Sequence, residues 1–203
     1  MDGINPRGGW IEVITGGMFS GKSEELIRRI RRAEIARQRT QLFKPAIDTR
    51  FDDKRIISRD NRGLDAIAVS NSAELRANLV FGVKVIGIDE VQFFDSGIVE
   101  VCMEMADAGL RVIVAGLDQD YLRRPFGPMP QLLAVAEYVS KMHAVCVRCG
   151  SPAHYTQRVS GGNSQIEIGD ISYEARCRMC YEPYRANGEP SATALEEVLS
   201  AES

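Results

Sequence analysis

Residues 16–23 read GGMFSGKS, so Gly16, Gly21, Lys22 and Ser23 stand at the spacing of a phosphate-cradling loop. Glycines at those points let successive backbone N–H groups turn inward on a phosphate, the lysine reaches the terminal oxygens, and the following hydroxyl can ligate Mg²⁺. A helix-capping turn would need neither Lys22 nor two spaced glycines. A second group is the acid pair Asp89–Glu90, which ends the apolar run KVIGID. There an aspartate can hold Mg²⁺ on the β- and γ-phosphates. A glutamate beside it can take the proton of an attacking water or substrate hydroxyl. The pair would also serve as a helix cap. The third group is two C-x₂-C knuckles, Cys146/Cys149 and Cys177/Cys180. Four thiolates in that pattern suit a tetrahedral structural zinc, with no open position left for water. The interval between the knuckles exceeds the roughly 15–20 residues common in zinc ribbons, so a sizeable hairpin must be held there. His143 and His154 are substitute ligands that the pattern does not require. Cys102, in the helical stretch VEVCMEMADAG, reads as a small buried hydrophobe.

These groups need elements to carry them. WIEVIT (Trp10 to Thr15) is a β-rich run before the glycines. SEELIRRIRRAEI follows as a helix with Leu26, Ile27, Ile30 and Ala33 on one face. Strand, glycine turn and helix put the partial positive charge of a helix N-terminus on the phosphate site. Further strands are expected at Gln41 to Pro45, Ala66 to Val69, Lys84 to Asp89 and Val112 to Leu117. Helices are expected at Ser72 to Leu79, Ser96 to Ala108 and Pro128 to Tyr138. This alternation predicts an α/β fold, a parallel sheet flanked by helices. The charged stretch from Ala46 to Leu64 has little periodicity and reads as a long functional loop. Arg28, Arg29, Arg31, Arg32, Arg37 and Arg39 crowd the first helix and read as a solvated face offset by Glu24, Glu25 and Glu34.

At Cys146 the periodicity fades and glycines cluster at Gly161, Gly162 and Gly169. The expected organisation is an α/β domain over 1–143, a small zinc-binding domain over 144–186 and a polar, disordered tail over 187–203. The chain has 203 residues, enough for a real core, and its net charge of −3 gives no footprint for nucleic-acid backbone. No apolar run approaches the roughly 18–20 residues that span a bilayer. MDGINPRGGW lacks a signal-peptide hydrophobic region, so a soluble cytoplasmic protein is expected.

DEVQFF and GLDQDYLRRPFG bring Phe93, Phe94, Leu117, Tyr121 and Phe126 to the carboxyl ends of two strands, where open α/β sheets bind ligands. Rings converging beside a phosphate site suit a flat base, and the same rings fit a core equally well. The Asn-Lys-x-Asp motif of guanine-specific GTPases is absent.

Taken in order, GGMFSGKS, FKPAIDTRF, IDEVQFF, GLDQDYLRRPFG, CVRCG and SYEARCRMC resemble the cytosolic-type, zinc-containing thymidine kinases. The resemblance runs from about residue 11 to 185. It implies transfer of the ATP γ-phosphoryl to the 5′-hydroxyl of thymidine, giving dTMP for DNA synthesis by nucleotide salvage. It also implies a phosphate-loop NTPase-like domain, a zinc-held lasso over the nucleoside, a homo-oligomer that is usually a tetramer, and feedback inhibition by dTTP.

Position by position, the resemblance makes Glu90 the catalytic base. It implies an ATP and Mg²⁺ set of Gly16, Gly17, Met18, Phe19, Ser20, Gly21, Lys22, Ser23, Asp48, Arg50, Asp89 and Gln92. The implied nucleoside set is Met18, Phe93, Leu117, Tyr121, Phe126, Thr156, Gln165, Ile166, Glu167, Ile168, Gly169 and Tyr173, with zinc on Cys146, Cys149, Cys177 and Cys180. Tyr121 stands where the family commonly has Phe, which adds a hydroxyl needing a partner. Ser58-Arg59-Asp60 departs from a His-containing pattern. No nucleic-acid or membrane partner is implied. The rival is a phosphate-loop ATPase that acts with nucleic acid through a zinc ribbon and would use Glu90 equally well. The acidic balance and the lack of a basic aromatic groove count against it.

Overall fold

The computed structural model describes residues 8–47, 55–57, 63–159 and 173–182. In chain order the elements are β1 (Trp10–Thr15), α1 (Lys22–Ile35), β2 (Thr40–Pro45), β3 (Arg55–Ile57), β4 (Gly63–Asp65), β5 (Ile67–Val69) and α2 (Ser72–Ala77). Then come β6 (Val85–Ile88), a 3₁₀ turn (Val91–Phe93), α3 (Gly97–Asp107), β7 (Arg111–Gly116), α4 (Met129–Val135) and β8 (Tyr138–Lys141). The last are β9 (Ala144–Val145), β10 (Pro152–Ala153), β11 (Tyr155–Arg158) and β12 (Tyr173–Arg176).

Strands in the order β5-β2-β6-β7-β1-β8 form one sheet, and each neighbouring pair is parallel. Its side chains alternate between two buried layers, as a period of two requires. Ile11, Val13, Ile86, Ile88, Val112 and Val114 face α2, α3 and α4. Ile14, Leu42, Val85, Ile113 and Ala115 face α1, which supplies Leu26, Ile27, Ile30 and Ala33. Gly87 belongs to this second layer, where a Cβ would stand 3.1 Å from Ile30 Cδ1, so the glycine lets α1 approach the sheet.

The expected parallel sheet with flanking helices is present, and several sequence expectations change. The stretch from Ala46 to Leu64 contains β3, which pairs antiparallel with β4. The helix expected from Pro128 to Tyr138 ends at Val135, and β8 follows it as an edge strand along β1. The strand beginning at Ala66 starts one residue later. Arg29 is not on a solvated face: its guanidinium reaches Glu12 at 2.7 Å, Glu25 at 2.8 Å and Ser140 Oγ at 2.8 Å. Glu12 also accepts from Arg111 Nε at 2.6 Å and Trp10 Nε1 at 2.8 Å, tying β1, α1 and β7 together. Burial raises the Glu12 carboxyl, but Arg111, Trp10 and Arg29 outweigh it and hold it below the ordinary carboxylate range.

Past β8 the chain changes character. β9 pairs with β10 and β11 with β12, both antiparallel. Val147 N–H donates to Ala175 O at 3.1 Å and His154 N–H to Arg176 O at 3.2 Å, closing the two hairpins on each other. Among the described residues no helix is long and apolar enough to cross a membrane.

Candidate active site

β6, β7 and β1 are adjacent and parallel, so the segments leaving their carboxyl ends meet on one edge of the sheet. From β1 comes the glycine loop. Gly16 has φ of 142°, and a Cβ there would lie 2.2 Å from Met142 O, so the turn admits only glycine. Gly21, at φ of 81°, opens α1. Ser20 Oγ donates to Gly17 O at 2.8 Å and the buried Lys22 Nζ donates to the same carbonyl at 2.8 Å. The loop is thus closed around its own cation at a helix N-terminus, an arrangement suited to phosphate. Ser23 is half-buried in the first turn of α1.

From β6 come Asp89 and Glu90, both buried. Glu90 is left-handed, with φ of 49° and ψ of 40°, a conformation costing a non-glycine residue about 1–3 kcal/mol and characteristic of functional turns. Its backbone N–H donates to Asp89 Oδ1 at 3.0 Å, and its Oε2 accepts from Gln92 Nε2 at 2.5 Å. The Gln92 carbonyl oxygen in turn accepts from Leu117 N–H at 3.0 Å, at the end of β7.

The third wall follows β7. Phe93 and Phe126 meet edge to face, with ring centroids 5.6 Å apart. Phe94 and Phe126 are buried while Phe93 is half-exposed, so of the rings weighed between core and site Phe94 belongs to the core cluster. The Arg158 guanidinium lies 3.9 Å from the centroid of the Tyr121 ring and donates to the Tyr173 hydroxyl at 2.7 Å. One buried cation thereby joins two tyrosines from separate segments. Tyr181 donates its hydroxyl to Tyr121 O at 2.6 Å, and Arg123 lies 4.6 Å from the Tyr181 ring centroid and 5.5 Å from that of Tyr155.

The sulfurs of Cys146, Cys149, Cys177 and Cys180 lie within 4.8 Å of one another. A tetrahedral zinc with bonds near 2.3 Å would place them about 3.8 Å apart. Cys149 and Cys177 are 3.5 Å apart, far beyond the roughly 2.05 Å of a disulfide. Burial raises the Cys146 thiol, yet backbone N–H groups of Cys177, Arg148 and Cys149 outweigh it and bring it down to about 6. The donor set fits a thiolate-bound zinc. His143 and His154 are not in this cluster; their rings meet edge to face, with centroids 4.3 Å apart.

The cysteine module also braces the glycine loop. Met18 N–H donates to Thr156 Oγ1 on β11 at 3.0 Å. A Cβ on Gly17 would lie 3.2 Å from His154 O, so that glycine lets the hairpin approach. Phe19, at φ of 68°, packs against the cluster of Ala144, Cys146, Ala153, Ala175 and Cys177.

Comparison with known proteins bears on what this site is. Residues 9–181 match the family model described as Thymidine kinase. A thymidine kinase of Rhodothermus sp. (strain ITI 518) is 51% identical over 194 residues, covering 95% of this chain and 91% of the relative. The thymidine kinase of Bdellovibrio bacteriovorus is 52% identical over 195 residues, covering 96% and 93%. That of Bacteroides thetaiotaomicron is 50% identical over 186 residues, covering 90% and 91%. The chain belongs to the thymidine kinase family.

Of the residues expected to form a thymidine kinase site, the structure gathers the 16–23 loop, Asp89, Glu90, Gln92, Phe93, Leu117, Tyr121 and Phe126 at one sheet edge, with Thr156 and Tyr173 alongside. Asp48, Arg50 and the stretch Gln165, Ile166, Glu167, Ile168 and Gly169 lie outside the described residues. Thr156 was expected to touch nucleoside; its oxygen accepts from the glycine loop. Arg158, Arg123, Tyr155 and Tyr181 were not anticipated. Each acts through a partner remote in sequence, and no local pattern announces such a contact. The rival ATPase reading is not favoured by these relatives.

Proposed function

We propose that this member of the thymidine kinase family phosphorylates the 5′-hydroxyl of thymidine with ATP, using Glu90 as the base. The observation that carries the reading is the meeting of the glycine loop, the Asp89–Glu90 pair and the ring-lined wall after β7 on three adjacent strand ends. The loop amides, the α1 N-terminus and Lys22 hold the triphosphate. Ser23 and Asp89 would hold Mg²⁺, which when bound neutralises charge on the β- and γ-phosphates. Glu90 takes the 5′-hydroxyl proton as that oxygen bonds to the γ-phosphorus, and the bond to the β–γ bridging oxygen breaks, releasing ADP and dTMP. Phe93, Leu117, Tyr121, Phe126 and Tyr173 line the nucleoside side, and Asp48, Arg50 and the 165–169 stretch complete the two subsites. The four cysteines would hold a structural zinc that orders the module carrying Thr156 and Tyr173.

The chain divides near residue 143 into a kinase domain and this smaller module, followed by a tail over 187–203. Feedback by dTTP and assembly as a tetramer, which the family resemblance implies, belong to the same proposal, as does residence in the cytoplasm. Glu90→Gln tests the chemistry. It should lower kcat by about 10²–10⁴ while nucleotide and thymidine binding persist. Near-normal turnover would remove Glu90 from the mechanism.

A further inference from the structure

We propose that Gln92 is a positioning residue for Glu90 rather than a ligand of the nucleotide. Its amide holds Oε2 of the base and ties that oxygen, through Leu117, to the nucleoside wall. The inference rests on Glu90 as the base.

Gln92 is 2% exposed, and both ends of its amide are committed. The Leu117 N–H can only donate, so the atom facing it at 3.0 Å must be the carbonyl oxygen. That contact leaves the NH₂ group facing Glu90 Oε2 at 2.5 Å and removes the flip ambiguity usual for an amide. Glu90 Oε2 therefore meets a donor, which orients the carboxylate of the base. The backbone of the base is itself fixed, left-handed in a tight turn closed by Phe93 N–H on Glu90 O at 3.1 Å.

The surrounding sequence is shaped to this residue, Gly116 making room for its side-chain oxygen and Gly127 for its backbone carbonyl. A Cβ on Gly116 would stand 2.7 Å from Gln92 Oε1, and one on Gly127 would stand 2.2 Å from Gln92 O. Gly116 and Gly127 flank the 117–126 segment that carries Leu117, Tyr121 and Phe126. The amide of Gln92 thus joins the base to the Leu117 end of the nucleoside wall, while its backbone packs against the Gly127 end.

The test compares Gln92→Leu, Gln92→Glu, Glu90→Gln and the Glu90→Gln/Gln92→Leu double variant in steady state, with ATP affinity measured by calorimetry on the whole protein. Gln92→Leu keeps the volume and loses both hydrogen bonds. It should lower kcat about 10- to 100-fold, the scale of a misplaced reacting group, with ATP Kd within about twofold of wild type. Gln92→Glu keeps an acceptor for Leu117 and replaces only the donor; it should lose at least as much kcat, which keeps the proposal testable if the leucine variant folds poorly. In the Glu90→Gln background Gln92→Leu should add less than about twofold, because no base remains to be placed. Additive losses, a rise of about tenfold in ATP Kd, or wild-type kcat in Gln92→Glu would each overturn the proposal. If Glu90→Gln itself turned over normally, the base reading would fail instead, and the two failures are separately visible.

Discussion

Thr156→Val removes one oxygen and keeps the shape of the side chain. In the wild type that oxygen accepts from Met18 N–H at 3.0 Å, 138 positions away in the chain. A buried donor left without its acceptor costs about 1–3 kcal/mol, and because Met18 is only half-buried the cost should lie near 1.5 kcal/mol. If the loss falls on the loop, it is about a tenfold change in equilibrium constant. Spread over the whole fold, it should lower Tm by about 3–6 °C. Calorimetric titration with a non-hydrolysable ATP analogue should show Kd raised about tenfold, with zinc content unchanged and thymidine KM within about threefold of wild type. The opposite pattern, thymidine KM raised with ATP affinity intact, would refute the bracing role and return Thr156 to the nucleoside subsite.

Glu12→Gln breaks the cluster that ties β1, α1 and β7. It removes the carboxylate shared by Arg29 and Arg111, leaving Arg29 with Glu25 alone, and should cost about 2–4 kcal/mol, read as a Tm fall of about 5–12 °C. Since the folded carboxyl sits below its unfolded value of 4.5, its stabilisation is complete above that pH and fades as pH falls through the folded value. The Tm gap between wild type and Glu12→Gln should therefore be constant from about pH 6 to 8 and narrow below about pH 4; a constant gap across the whole range would contradict the ion-pair account. Metal analysis should find about one zinc per chain. Its removal should weaken ATP binding as well as thymidine binding, because Phe19 and Met18 lean on the cysteine module; ATP affinity unaffected by chelation would show that the loop stands alone. Burial pushes the Cys102 thiol up to about 12, so thiol reagents should spare it in the native protein and modify it only on unfolding.

What could be read from the sequence was what is local. The glycine loop is defined by residues within eight positions and the knuckles by pairs three apart, so their geometry follows from their spacing. The buried strands β6 and β7 announce themselves as unbroken apolar runs, and the acids at the end of β6 stand where a parallel sheet binds ligands. β8 escaped because it is an edge: Tyr138 and Val139 are about half exposed, and the strand exists through hydrogen bonds to β1 rather than through a hydrophobic pattern. Arg29 was misread because its helix is rich in arginine, and only the sheet shows which of them meets Glu12. The same limit hid Arg158 between Tyr121 and Tyr173, and the amide orientation of Gln92, which is fixed by an N–H 25 positions later.

The central claim is that the base at Glu90 serves a nucleoside hydroxyl rather than water. Incubating the purified protein with MgATP and each of the four deoxynucleosides, and identifying products by mass, tests it most directly. The account predicts dTMP from thymidine with one ADP formed per dTMP, and little monophosphate from deoxyadenosine, deoxyguanosine or deoxycytidine. ADP released at the same rate with and without thymidine, and no dTMP, would contradict it.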